Sequence, residues 1–209
     1  NITGLTGTAA AINTFITTEQ SDAGNGVNLD TDFTATVSDT DTVATHLSTL
    51  NDNMAGLITA TTVTNLTGTL SEIKAVTDAE GDTGNAINLD GDFTATVSDA
   101  GSVAASDLSS VSGKTTGNIT ATNVTTLTGT ASQIATLIGD EADSGDGVNL
   151  ATNVKATVTG SAAAADLTTI NNGTTGLITA TGVTTITGTA SAVKAVIDAE
   201  ADTGNAINL

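Results

Sequence analysis

A repeat of about thirty residues runs through this chain from end to end, and it limits the possible folds more than any single motif does. The phrase LTGT stands at Leu5–Thr8, Leu66–Thr69 and Leu127–Thr130 and returns as ITGT at Ile186–Thr189, in steps of 61, 61 and 59 residues. A second phrase, a small residue followed by Val or Ile, Asn and Leu, closes at Leu29, Leu89, Leu150 and Leu209. Between them lie FTATVSD at Phe33–Asp39 and Phe93–Asp99, KATVTGS at Lys155–Ser161, and LITAT or NITAT at Leu57–Thr61, Asn118–Thr122 and Leu177–Thr181. These phrases can be laid over the first set, so two versions of a thirty-residue unit alternate to make a period of about sixty.

Each unit reads alike. Ile178 and Ala180 fall on one face of a short strand and Thr179 and Thr181 on the other, the period of two of a half-buried strand. A corner at residues such as Gly182 leads to a second alternating strand, as where Phe93, Ala95 and Val97 face in while Thr94 and Thr96 face out. Gly-Thr, Gly-Ser or Ser-Asp then supplies a helix N-cap composition. The segment after each cap has helical spacing: Ile12, Phe15 and Ile16, then Ile134, Leu137 and Ile138, then Val193, Val196 and Ile197. The alternate units carry Val43, Leu47 and Leu50, or Leu167 and Ile170. Gly-rich turns such as DAGNG, DTGN and NNGTTG close these helices, where Gly suits a left-handed C-terminus.

A unit this small cannot bury both strand faces and its helix stripe alone, so the expected fold is an α/β solenoid. It has about seven strand-strand-helix coils of about 30 residues, stacked into parallel β-sheets with the helices along one side. Residues 1–209 read as a single repeat array, with sixty-residue double repeats at about 2–62, 63–123 and 124–182 and a half repeat at 183–209.

Composition removes several functions. The chain has four basic residues, all lysines (Lys74, Lys114, Lys155 and Lys194), and a net charge of −19. Neutralising phosphates takes Lys and Arg in number, so neither nucleic acid nor an anionic membrane surface is an expected partner. No apolar run reaches the length of a membrane span, so no membrane insertion is expected. The absence of Cys, joined to acidity and low complexity, leans towards an extracellular or cell-surface protein made without disulfides. Catalysis finds little to use. His46 is the lone histidine, and its repeat mates are Asp107 and Asp166, which places it on an outer helix face. Without Cys, Arg or a second His, a triad, a zinc site and a phosphate clamp are all out of reach, and every acidic pair recurs with the repeat.

Stacking would turn single positions into rows. One polar ladder reads Thr34 and Thr36, Asn65 and Thr67, Thr94 and Thr96, Thr126 and Thr128, Thr157 and Thr159, Thr185 and Thr187, with Gly4 and Thr6 at its start. The other reads Asn28, Thr59, Asn88, Thr120, Asn149, Thr179 and Asn208. Thr is β-branched and makes cross-strand pairs, and stacked Asn amides hydrogen-bond along a row, so the ladders serve the sheets themselves. The sharper alternative is an ice-binding protein, because solenoid antifreeze proteins present similar flat T-x-T arrays.

Acidic loops suggest a metal. The pattern E-x-D-x-G-[ND] supplies Glu80, Asp82 and Asn85, then Glu141, Asp143 and Asp146, then Glu200, Asp202 and Asn205, with Gln20, Asp22 and Asn25 in the first copy. Asp30 and Asp32, and Asp90 and Asp92, come close after them, replaced by Ala151 and Asn153 in the third copy. Clustered carboxylate, amide and carbonyl oxygens suit calcium, which is the expected cofactor if the chain has one. The competing reading is that Asp and Asn cap turns and the Glu is solvated.

In the phrases ITGTAS, ATVTGSAAAADLTTIN and TTGLITAT the chain resembles the Thr/Ala/Asp-rich repeat regions of very large secreted surface proteins of cyanobacteria and other aquatic bacteria. The resemblance covers the whole chain. It implies a calcium-dependent, haemolysin-like or adhesin-like surface protein, in which these units are a spacer. The ends add a further expectation. NITGLTGT at the start aligns with Asn123–Thr130, so a copy starting at Asn1 would nearly take over where Leu209 stops. The chain is then either a segment of a longer repeat protein or a subunit of a head-to-tail homopolymer. Its expected role is non-enzymatic: to form or extend an extracellular filament, sheath or surface stalk.

Overall fold

A computed structural model describes residues 2–21, 26–80, 86–141, 147–200 and 207–209. Its helices are α1 (Ala9–Ser21), α2 (Ala44–Asn53), α3 (Leu70–Ala79), α4 (Ala105–Ser112), α5 (Ala131–Asp140), α6 (Ala164–Gly173) and α7 (Ala190–Glu200). The first strands are β1 (Ile2–Gly7), β2 (Leu29–Val37), β3 (Asp41–Val43), β4 (Ile58–Ala60), β5 (Asn65–Gly68), β6 (Ile87–Leu89) and β7 (Thr94–Val97). After them come β8 (Ser102–Ala104), β9 (Ile119–Ala121), β10 (Thr126–Gly129), β11 (Val148–Leu150), β12 (Lys155–Ala163), β13 (Ile178–Thr187) and β14 (Ile207–Asn208).

The stacked α/β solenoid of seven coils does not form. Instead, among the described residues, the strands make three parallel sheets, of order β1-β2-β4-β6, β11-β9-β7-β5-β3 and β14-β13-β12-β10-β8, combined with seven helices in an α/β fold. The expectation placed each strand type in its own ladder, and the FTATV and KATVT strands break that rule. β2 sets Leu5 of the LTGT strand β1 beside Ala35 on one edge, and Ile58 of the ITA strand β4 beside the same Ala35 on the other. β12 does likewise, with Ala156 flanked by Leu127 of β10 and Ile178 of β13. One strand thus joins the two types that the repeat keeps apart. The units are also unequal: β3 and β8 are extra three-residue strands, while β2, β12 and β13 run to nine or ten residues.

Two compact units result, one of Asn1–Thr96 with Lys114–Gly117, the other of Val97–Gly113 with Asn118–Leu209. In the first, α1 packs on α2 and α2 on α3, over a core that includes Phe33, Ile58, Leu66, Ile73 and Phe93. In the second, α4, α5, α6 and α7 pack in sequence, with Leu108, Ile119, Leu127, Ile134 and Leu167 fully buried. The inward set Phe93, Ala95 and Val97 and the outward Thr94 and Thr96 lie as the alternation predicts.

Helix starts are of two kinds. Thr69 and Thr130 cap α3 and α5 in full capping boxes, closed by Glu72 and Gln133. By contrast α2, α4 and α6 begin directly after extended residues Val43, Ala104 and Ala163, which give no side-chain cap. Val43 is therefore exposed at an N-cap, and Ala44 takes the buried place expected of it. Helix ends also differ from expectation. Gly113 after α4 is right-handed, and α2 and α6 pass straight into extended Met54 and Thr174.

The repeat's demand for glycine comes instead from close approach. A Cβ on Gly56, Gly117 or Gly176 would lie 2.1, 2.2 or 2.4 Å from the carbonyl oxygen of Phe33, Phe93 or Val154 respectively. Thr115 and Thr174 fasten two of these corners. Each hydroxyl donates to that same carbonyl, of Phe93 or Val154, at 2.5 Å and accepts from the glycine N–H two residues on at 2.9 Å.

Candidate functional site

The two long polar ladders resolve into short runs. Thr36 stands between Thr6 and Thr59, and Thr59 pairs with Asn88, which joins positions expected on separate ladders. Thr34 faces Gly4. Thr128 lies between Ala104 and Thr157, with Thr179 and Asn208 next in the row, while Thr126 lies between Ser102 and Lys155. Thr159 meets Gly182, and Thr185 and Thr187 meet Ser161 and Ala163, so the T-x-T pairs of β10, β12 and β13 stand out of register by two residues or more, while those of β1 and β2 keep it. Thr120 pairs with Asn149. Thr94 donates to the Thr64 carbonyl at 3.0 Å and to Asn65 Oδ1 at 3.1 Å, Thr96 is exposed, and Asn28 is exposed outside any strand.

A shared geometry explains the threonines. Thr34, Thr67, Thr94, Thr128, Thr159 and Thr187 each donate a hydroxyl hydrogen bond to a backbone carbonyl 25 to 31 residues earlier, at 3.0 to 3.5 Å. Each hydroxyl thus ties its strand to the previous one, contributing to the sheet about what a modest side-chain bond contributes, roughly 0.5–1.5 kcal/mol.

Of the predicted calcium ligands, Asp82, Asn85, Asp143, Asp146 and Asp202 lie outside the described residues, as do Asp22, Asn25 and Asn205. Glu80 and Glu141 form the ends of α3 and α5 and are half-buried, Glu200 is exposed at the end of α7, and Asp90 and Asp92 flank an exposed turn before β7. Among the described residues no three His, Asp or Glu side chains are grouped to hold a metal ion. Burial pushes the Glu80 carboxyl above the usual carboxylate range, against the opposing pull of the Lys114 ammonium.

His46 is half-buried on α2 and lines an open cavity of about 360 Å³ with Thr8, Asp39, Asp41, Thr42 and Thr67. Asp39 already has a task there. Its Oδ2 accepts from the Ala9 N–H at 2.7 Å and so caps α1 from thirty residues away.

The feature that sequence reasoning missed is a partly exposed apolar face on β13 and α7, as seen among the described residues. Leu127 and Val124 at β10, and Ile134, Leu137 and Ile138 on α5, are buried beneath β12 and α6. Their repeat mates are Ile186, Val183, Val193, Val196 and Ile197. Of these only Val196 is buried; Ile186, Val183 and Val193 are half-exposed and Ile197 is 52% exposed. The stripe was legible in the sequence, but its exposure was not, because the same letters are core in one copy and surface in another.

Among the described residues no helix is long and apolar enough to cross a membrane. Comparison with protein-family models, with characterised proteins and with solved structures gives no match.

Proposed function

We propose that this chain is a non-enzymatic extracellular structural protein that forms or extends a filament, sheath or surface stalk, with copies adding head to tail through the β13–α7 face. The observation that carries this reading is the exposure of Ile197 and the partial exposure of Ile186 and Val193, whose mates in β10 and α5 are buried by the next strand and helix. An apolar surface rimmed by polar residues favours a protein partner. Parallel strands with free backbone groups offer ready edges: β14 and β8 end one sheet, and β1 and β6 another. The occupant proposed is a second copy, with a flanking repeat of a longer chain as the alternative; between copies, an end-on contact of unlike surfaces would propagate into an open filament. The acidity and the lack of Cys support a place outside the cell or on its surface. The ice-binding alternative has weaker support, since several Thr hydroxyls bond back to the chain and the T-x-T pairs of β10, β12 and β13 stand out of register.

The test is electron microscopy of the concentrated protein, with and without a calcium chelator, beside an Ile186→Asp/Ile197→Asp variant. The reading expects fibres from the parent and dispersed particles from the variant. Fibres lost on chelation would add calcium as a proposed cofactor of the acidic loops. Dispersed parent chains under both conditions would sink the proposal.

A further inference from the structure

The β13–α7 face lacks what covers its mates in the same repeat. Leu127, Ile134 and Ile138 are buried by a strand followed by a helix, β12 and α6. Ile186, Val193 and Ile197 have no such pair over them among the described residues, and β13 itself is only partly paired. β12 lies along one side of it from Ile178 to Thr187, while on the other side β14 reaches Ile178 and Thr179 alone. Among the described residues the backbone of Val183–Thr187 is therefore open on the side where a next parallel strand would come.

β1 and α1 show the converse. β1 is the end strand of its sheet, with β2 along one side and no strand among the described residues along the other. Its Thr6 is the mate of Thr67, Thr128 and Thr187 in the LTGT phrase. Each of those three donates its hydroxyl to a carbonyl of an earlier strand, of Thr42, Val103 and Ala162 respectively, at 3.1 to 3.5 Å. Thr6 has no earlier strand among the described residues, and it is exposed. Beside it an apolar groove of about 230 Å³ opens between β1 and α1, lined by Leu5, Ala11, Ile12 and Phe15. Ile12 is buried there, and Leu5 and Phe15 are half-exposed. The edges also match in polarity. In both sheets the parallel strands follow in chain order, so β1 is open on its earlier side and β13 on its later side.

We propose that β1 and α1 of a second copy cover β13 and α7: β1 adds as a parallel strand along Val183–Thr187, Thr6 donates to a β13 carbonyl, and Ile186, Val193 and Ile197 pack against Leu5, Ile12 and Phe15. The inference rests on the head-to-tail reading above and names the partner surface for it. It continues between copies the strand-and-helix contact that β12 and α6 make within one. Two variants block one surface each, Ile197→Asp on α7 and Phe15→Asp on α1. Ala11→Arg, at an exposed position on the same groove, replaces the second should it fail to fold. Sedimentation velocity is read for each chain alone and for the equimolar mixture of the two variants. The parent is expected to sediment as large assemblies and either variant alone as a single chain. The mixture is expected to give a two-chain species that does not grow, because one intact surface of each kind makes one contact. Amide exchange in the assembled parent is expected to slow at Thr3–Gly7 and Thr184–Thr187 together. A groove variant that assembles like the parent, a mixture that stays single, or slowing at β6 in place of β1 would each overturn the assignment of β1 and α1 and leave assembly through β13 and α7 standing. A parent dispersed at every concentration, or an Ile197→Asp chain that assembles like it, would overturn both.

Discussion

Replace Gly117 with Ala, and a methyl group must enter space held by the Phe93 carbonyl oxygen. The added Cβ would stand 2.2 Å from that oxygen and 2.5 Å from the Asp92 oxygen. Atoms of this kind rest at about 3.5–4.0 Å, so backbone must move by about an ångström. Phe93, fully buried, resists that movement. Overpacking of this sort costs about 1–3 kcal/mol, and distorting the Thr115 bond to the same carbonyl adds about 1 kcal/mol. Against this, Ala narrows the unfolded ensemble by about 0.4–1 kcal/mol. The net loss is then about 1–3.5 kcal/mol, which in a chain of this size lowers Tm by roughly 2–14 °C at about 2–4 °C per kcal/mol. Gly139 is the control. It lies exposed on α5 with nothing within 4 Å of an added Cβ, so Gly139→Ala should raise Tm by about 2 °C through helix propensity. Thermal unfolding monitored by circular dichroism reads both changes. A Gly117→Ala chain that melts with the parent, or shifts like Gly139→Ala, would refute the argument that close approach fixes this residue.

The same geometry sets further outcomes. Thr69→Ala removes the capping box of α3 and should cost about 1 kcal/mol by chemical denaturation, while Thr45→Ala, in a helix with no side-chain cap, should cost less. Ile134→Ala opens a fully buried site and should cost about 2–5 kcal/mol, whereas Ile197→Ala should cost dispersed chains under about 1 kcal/mol in the same denaturant assay. Glu80 holds its proton more tightly folded than unfolded, so its contribution to stability is present below the ordinary carboxylate value and is lost as pH rises through the raised one. Glu80→Gln should therefore gain on the parent across that window, and Lys114→Ala should push the Glu80 carboxyl higher still, as a carbon-detected NMR titration would show.

The period of the repeat located the helices and most strands because apolar spacing at 3.6 or 2 residues is a local property. The sets Ile134, Leu137 and Ile138, and Phe93, Ala95 and Val97, needed nothing beyond the sequence. Sheet membership is different, since it depends on which strand lies beside which. Nothing in FTATV marks it as a strand that accepts LTGT on one edge and ITA on the other, so two expected ladders became three sheets. Asp41–Val43 and Ser102–Ala104 are too short to show alternation. The exposed stripe of α7 was also hidden, because it arises from what does not stand next to familiar residues.

The central claim is that the β13–α7 face is covered by another copy. Because the chain contains no cysteine, one thiol placed at Ile197 reports on that face alone, and its labelling rate can be tracked as protein concentration rises. An Asp52→Cys chain, labelled on the surface of α2, serves as the reference. The account predicts that the Ile197→Cys thiol slows about tenfold or more on going from dilute to concentrated protein, at constant reference rate. A thiol at position 197 that reacts equally fast at every concentration would contradict it.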